Sequence, residues 1–270
     1  MKLFDLTGEV AVVIGATGVL GGSLAEGSGG SRRAASRSSV VMWNGAQARV
    51  KTIAIPRRQS CLLPGRCRRQ RGSLAEAHKK IEATLGAPTI LLNAAGGNDP
   101  KVTVTPENPF ENISLEAWQA NFDLNLVGGV FLPCQEFGPA MGRRGKGSII
   151  NIASAAAQLP LSRVVAYSAA KAAVVNLSRF LAREWATKGV RVNTITPGFF
   201  PAEQNRKLLF NDDGSPTART KAIWGHTPMN RFGESKELVG AAVFLASHAA
   251  SSFITGADIR VDGGYLSQTI

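Results

Sequence analysis

Residues 10–22 read VAVVIGATGVLGG. Five apolar, mostly β-branched residues, Val10 to Ile14, break into a turn carrying Gly15, Gly18, Gly21 and Gly22, and the Ser23-Leu-Ala-Glu26 that follows has the composition of a helix. A short, wholly apolar run suits a strand buried on both faces, and such strands belong to parallel sheets covered by helices. Glycines after the strand let the backbone turn tightly and approach a pyrophosphate, while the next helix offers unpaired N–H groups and the positive end of its dipole. Alone, the G-x-x-G-x-x-G spacing puts nucleotide binding only slightly ahead of a structural turn.

Outward from this stretch the same alternation recurs. Buried-strand candidates are Thr89 to Leu92, Ser148 to Ile152, Arg191 to Thr196 and Ala257 to Val261, with weaker ones at Val40 to Trp43 and Ser60 to Leu63. Helical stretches long enough to serve as crossovers lie near Ser114 to Ala140, Val164 to Thr187 and Glu234 to Ser247, and Ser73-Leu-Ala-Glu76 has the capping-box pattern that opens a helix through about Leu85. Strands alternating with helices predict one α/β domain, doubly wound and Rossmann-like, with a parallel sheet of about seven strands and helices on both faces. With 270 residues, 44% of them hydrophobic, one large core is expected.

The formal net charge of +12 is confined to one stretch. Between Gly27 and Ala75 lie ten arginines and Lys51 with no Asp or Glu, and the rest of the chain carries 20 basic residues against 19 acidic. The same stretch, 27–72, is where a doubly wound domain needs two strands and a helix, and it supplies them poorly. It reads as a variable basic surface, as a nucleic-acid patch, or as a place where the gene's reading frame is displaced, and the codons favour the last. Met42 and Trp43 have unique codons and Asn44 begins AA, so one alternative frame reads x-Val-Glu there, with Asp allowed at x. Gly65-Arg-Cys-Arg-Arg-Gln70 can likewise be encoded so that a neighbouring frame gives Ala-Asp-Ala-Val-Asp-Ser. Without those eleven cations the chain has the charge balance of a metabolic enzyme, and no nucleic-acid partner is expected.

Cys61, Cys67 and Cys134 contain no C-x-x-C pair and stand far from His78, His226 and His248, so neither a disulfide framework nor a metal site is predicted. No apolar run has the form of a signal peptide or the length of a membrane span, and a cytoplasmic protein without a membrane partner is expected.

The chemistry concentrates downstream. In Tyr167-Ser-Ala-Ala-Lys171 a spacing of four on a helix puts both side chains on one face. A free phenol titrates near pH ~10, and a neighbouring ammonium is expected to lower that value, making Tyr167 a usable acid/base. An isolated Y-x-x-x-K is more often an unrelated surface pair. Ser154, thirteen residues upstream of Tyr167 and just past a strand end, changes the odds, because ligands of open α/β sheets bind beyond the carboxyl ends of the strands. By itself Ser154 reads as a cap or turn residue. Asn93-Ala94-Ala95-Gly96 leaves another strand at the same rim, where small residues let a ribose or nicotinamide lie against the backbone.

Taken in order, the glycine turn, Asn93-Ala-Ala-Gly96, Asn125, Ser154, Tyr167-x-x-x-Lys171 and Pro197-Gly198 resemble the short-chain dehydrogenase/reductase family over residues 1–26 and 73–270. The resemblance implies an NAD(P)-dependent oxidoreductase in which Tyr167 is the acid/base, Ser154 polarises the substrate oxygen, Lys171 also holds the nicotinamide ribose, and Asn125 supports a proton relay through water. It implies a cofactor site of Gly15, Thr17, Gly18, Val19, Leu20, Gly21, Asn93, Ala94, Ala95, Gly96, Tyr167, Lys171, Pro197, Gly198 and Phe200. Val19 stands where the family commonly has its middle glycine. The residues that choose NAD or NADP fall in the irregular stretch, so both cofactors stay open.

Phe199-Phe-Pro-Ala-Glu-Gln-Asn-Arg206 opens a substrate loop, 199–225, and is similar to that of D-mannonate oxidoreductase-like members acting on sugar acids. On that likeness Arg206 pairs with a carboxylate, Gln204 and Asn205 read hydroxyls, and Asn98 and Ser154 face the same small-molecule substrate. Equally, Glu203 to Arg206 begin a solvated helix. A cofactor-deficient relative is the alternative function. The family likeness also implies a homotetramer, with the long helices and Asp262-Gly-Gly-Tyr265 at interfaces.

Overall fold

In the computed structural model, which describes residues 3–15, 19–28, 39–43, 64–201 and 206–269, the apolar run at Val10–Ile14 is an inner strand of a parallel sheet. The strands are β1 (Val10–Ile14), β2 (Ser39–Trp43), β3 (Ile90–Asn93), β4 (Gly147–Ile152), β5 (Val190–Pro197) and β6 (Asp258–Val261). Their spatial order is β2-β1-β3-β4-β5-β6, every pairing parallel. From β1 the chain moves outward to β2, then returns to the other side of β1 for β3. That reversal opens a crevice between the carboxyl ends of β1 and β3. The expected strand at Ser60 to Leu63 lies outside the described residues.

Alternate residues of β1 face two cores, as a two-residue period requires. Val10, Val12 and Ile14 pack with Leu74 and Ile81 of α2 (Pro64–Leu85), Phe137 and Met141 of the helix ending at Arg144, and Val174 and Ala182 of the helix that carries Tyr167. Ala11 and Val13 face Leu24 of α1 (Val19–Ser28), together with Leu238, Ala242 and Leu245 near the C-terminus. Helices therefore cover both faces.

The expected helix start at Ser73 is corrected by α2, which already begins at Pro64. Its first turns are rich in Arg and Gln, which favour helix, and so extend the helix back past the capping-box pattern. The stretch from Ser114 has a finer structure than its periodicity predicts. Ser114 caps α3 (Leu115–Phe122) by accepting the Ala117 N–H at 3.2 Å, a π-helical segment spans Asp123–Phe131, and α4 (Leu132–Arg144) completes it. Next come α5 (Val165–Trp185), α6 (Arg206–Leu209), α7 (Ala218–Gly225), α8 (Val239–Ala246) and α9 (His248–Ser251). Among the described residues no helix is long and apolar enough to cross a membrane.

Candidate active site

Strand order brings the named residues to one rim. Gly15, at the end of β1, has φ +84°, and a Cβ there would stand 2.5 Å from Ala95 Cα and N. Only glycine combines that backbone angle with so close an approach. The Ala94 N–H donates to Ile14 O at 2.8 Å, which fastens the exit of β3 to β1 at the crevice. Thr17 and Gly18 lie outside the described residues. Val19, Leu20 and Gly21 form the first turn of α1, and that turn contains no acid to repel a phosphate.

Beyond the strand ends is a cavity of about 300 Å³. Its wall includes Leu20, Ala94, Gly96, Asn98, Ser154, Tyr167, Lys171, Pro197, Gly198 and Phe200, so residues spread over 181 positions of the chain meet in one place. A β-carbon on Gly96 would come within 2.6 Å of Asn125 Oδ1 and 3.1 Å of Lys171 Nζ. The missing side chain keeps this wall flat. Buried behind it, Asn93 donates to Asn151 Oδ1 at 2.8 Å, and Asn151 donates to Ser178 Oγ at 2.8 Å, which ties β3, β4 and α5 together. Apolar walls, open backbone and a helix start without an acid in its first turn suit a dinucleotide's nicotinamide and phosphates, and the described residues fit such a group.

Lys171 is 3% exposed and its Nζ donates to Ile152 O at 2.8 Å. Burial pushes its ammonium down to about 8. Nζ lies 5.7 Å from the centre of the Tyr167 ring. The Tyr167 phenol is raised above its ordinary value, because burial outweighs the lowering by its hydrogen bond with Ser154. This differs from the sequence expectation of a net lowering by Lys171, since the site desolvates the phenol as well as the amine. Ser154 is the turn cap that its local pattern suggests, accepting the Ala156 N–H at 3.2 Å, and it stands beside Tyr167.

Asn125 is fully buried within the π-helical segment, where the Leu132 N–H reaches back five residues to Val127 O. Such segments recur at functional sites. Its carboxamide accepts from Gly97 N at 3.0 Å and donates to Gly97 O at 2.8 Å and to Asn121 O at 3.0 Å.

The substrate loop departs from expectation. Gln204 and Asn205 lie outside the described residues. Arg206 is exposed at the start of α6, its guanidinium 5.9 Å from the Phe210 ring centre, and it is not among the cavity residues. Arg219 of α7 lines the cavity instead, together with Leu161, Val164 and Phe199. The sequence reading missed Arg219; the available signal was Pro216-Thr217, which marks the start of its helix, and Thr217 caps α7 by accepting the Thr220 N–H. An adjoining cavity of about 420 Å³ shares Phe199 and Phe200, but its charged groups are engaged. There Arg231 grips Glu237 bidentately at 2.8 and 2.7 Å, Arg260 donates to Gln158, and the Asp262 carboxylate takes the N–H groups of Gly264 and Leu266.

Residues 64–266 match the family model for enoyl-(acyl carrier protein) reductase. The chain belongs to the short-chain dehydrogenase/reductase family. It is an NAD(P)-dependent oxidoreductase. Among the relatives of this dehydrogenase/reductase are an uncharacterized oxidoreductase of Haemophilus influenzae, 41% identical over 72% of this chain and 71% of its own, and the uncharacterized oxidoreductase UxuB of Bacillus subtilis, 35% identical over 97% and 96%. A candidate D-mannonate oxidoreductase from Haemophilus influenza with bound NAD superposes with a TM-score of 0.80 at 32% identity, covering 98% of this chain and 97% of that one. A gluconate 5-dehydrogenase from Burkholderia cenocepacia, in complex with NADP and tartrate, superposes with a TM-score of 0.76 at 27% identity, covering 99% of both chains. The family match begins at residue 64, within the basic stretch.

Proposed function

We propose that this dehydrogenase/reductase interconverts a secondary alcohol and a ketone on a sugar acid of the mannonate, fructuronate or gluconate kind. The observation that carries the reading is the meeting of Ser154, Tyr167 and Lys171 in one cavity at the strand ends. The sugar-acid relatives support the substrate class.

Bound nicotinamide supplies hydride in reduction and accepts it in oxidation. The chain's own residues handle the oxygen and its proton. Ser154 Oγ donates to the substrate oxygen and fixes it beside Tyr167. With its phenol raised by burial, Tyr167 is protonated at neutral pH and gives its proton to the carbonyl oxygen during reduction. In oxidation the phenolate takes the proton from the alcohol. Lys171 is mostly cationic at pH 7, held against Ile152 O, and contributes positive charge where the phenolate forms as well as a donor for a ribose hydroxyl. The Asn125 side chain is occupied by Gly97 and Asn121, so it serves a proton relay by holding the wall between them. Gly15, the start of α1, Ala94 to Gly96, Pro197, Gly198 and Phe200 hold the dinucleotide.

A homotetramer belongs to the same reading. It is supported by apolar side chains left exposed on adjoining helices, Leu115 at 64%, Leu124 at 38% and Phe131 at 37% along α3 to α4, and Phe180 at 52% on α5. A seventh strand outside β2 is supported by the edge position of β2 and the long connection to Pro64.

Titration with NADH and with NADPH, followed by nicotinamide fluorescence, tests the reading. Saturable binding of either, followed by oxidation of a sugar acid, supports it and names the cofactor. Absence of binding to both overturns it in favour of a cofactor-deficient relative, a reading that draws on the family match starting only at residue 64.

A further inference from the structure

We infer that Arg219 is the carboxylate anchor of the substrate site, the residue that makes this enzyme prefer a sugar acid to a neutral polyol of the same shape. The inference rests on the sugar-acid reading and assigns its charge recognition to one side chain.

The cavity wall bears two cations, Lys171 and Arg219, and no acid among the described residues. Lys171 is buried with its Nζ held at Ile152 O beside Tyr167, a place suited to the ribose and the phenolate rather than to a second anion at the far end of a substrate. Arg219 has no hydrogen bond or ion pair among the described residues, although other arginines of this chain find carboxylates, as Arg231 does with Glu237 and Arg183 with Glu184. A half-buried guanidinium with no counter-ion among the described residues, on the wall of a cavity that holds Ser154 and Tyr167, offers a planar pair of donors to an incoming carboxylate.

Two further observations locate its charge. Arg219 pulls the Tyr265 phenol downward against the raising effect of burial, so the guanidinium lies within electrostatic reach of that ring. Tyr265 packs edge-on against Phe199 with ring centres 5.1 Å apart, and Phe199 is itself a cavity residue. Arg219 is therefore on the Phe199 side of the site. It also occupies the first turn of α7 with Lys221, and that turn has no acid. Two cations at the positive end of a helix dipole oppose the helix's own preference, and a bound anion relieves both. Arg206, which sequence reasoning favoured for this task, rests on Phe210 outside the wall.

The test compares the wild type with Arg219→Gln and Arg219→Lys in the oxidation of D-mannonate and D-gluconate against D-mannitol and D-sorbitol, with cofactor titration and thermal melting as controls for folding. In Arg219→Gln, kcat/KM for the acids is expected to fall about 10-fold to 100-fold, mainly through KM, while the polyol values and cofactor affinity hold. Arg219→Lys, which keeps the charge without the fork, is expected to fall between the two. Phenylglyoxal labelling read by mass spectrometry gives a signal independent of turnover: D-mannonate should protect Arg219, and D-mannitol should not. Unchanged acid kinetics in Arg219→Gln, or labelling that D-mannonate leaves undiminished, overturns the assignment. A wild type that oxidises polyols but no sugar acid overturns the substrate reading itself, before any variant is made.

Discussion

Asn125 grips the main chain of Gly97 from both sides, its Oδ1 taking the Gly97 N–H at 3.0 Å and its Nδ2 donating to Gly97 O at 2.8 Å. Because Nδ2 also donates to Asn121 O at 3.0 Å and Oδ1 at 3.1 Å, the amide orientation is fixed. The contact sets the wall of the cavity lined by Ser154 and Tyr167 from within the π-helical segment.

It follows that Asn125→Asp should harm the fold more than its size suggests. The new carboxylate oxygen would face Gly97 O and two Asn121 oxygens with no proton to offer, at a fully buried position. A loss of about 2–4 kcal/mol in urea unfolding is expected, exceeding that of Asn125→Ser. Equal stability of the two variants would show that the amide donor is dispensable.

Tyr167→Phe removes the proton donor while keeping the ring, so kcat should drop by about 10²- to 10⁴-fold with cofactor binding retained. The oxidative direction requires the phenolate, so its rate should climb with pH into the alkaline range. Since the Ser154 hydrogen bond lowers the Tyr167 phenol, Ser154→Ala should move that limb to higher pH. Steady-state pH profiles in both directions check this, and an unshifted limb would separate Ser154 from the titration.

Burial lowers Lys171 from 10.5 to about 8, and a depressed ammonium has a definite sign in stability. Between pH ~8 and ~10.5 the unfolded chain binds the proton and the folded chain does not, so stability rises with pH across that window. Below pH ~8 both states are protonated and the full cost of about 3 kcal/mol is present. Subtracting the urea-unfolding profile of Lys171→Met from that of the wild type should leave this rise. A flat difference would mean that the amine stays charged in the folded site.

Resequencing independent clones across the codons for 27–72 is expected to reveal an insertion or deletion at each flank of the basic stretch. An intact frame in every clone would instead make the ten arginines a true property of the protein. Salt-dependent binding to DNA would then be the next measurement.

Much of the fold was legible because parallel strands buried on both faces are written as short apolar runs. Val10–Ile14 was read to the residue, and β3 to β6 to within one residue at each end. Ser154, Tyr167 and Lys171 were legible for a related reason: two share a helix face, and the third follows a strand end where ligands bind. Local pattern could not show the break at Asp123–Phe131, since π and α segments present nearly the same apolar stripe. It could not show that α2 runs back to Pro64, because Arg and Gln suit helix and loop alike. Nor could it set the sign of the Tyr167 shift, which depends on how much water the surrounding elements remove.

The sequence by itself determined the strand, turn and helix alternation, the order of the family's motif residues and the family. Only the tertiary structure decided which arginine lines the cavity. Arg206 and Arg219 are both exposed-looking cations in one loop region, and nothing local distinguishes them. Which one meets the cavity depends on where α6 and α7 dock against the strand ends, and that docking is settled by contacts distant in sequence, such as Tyr265 on Phe199.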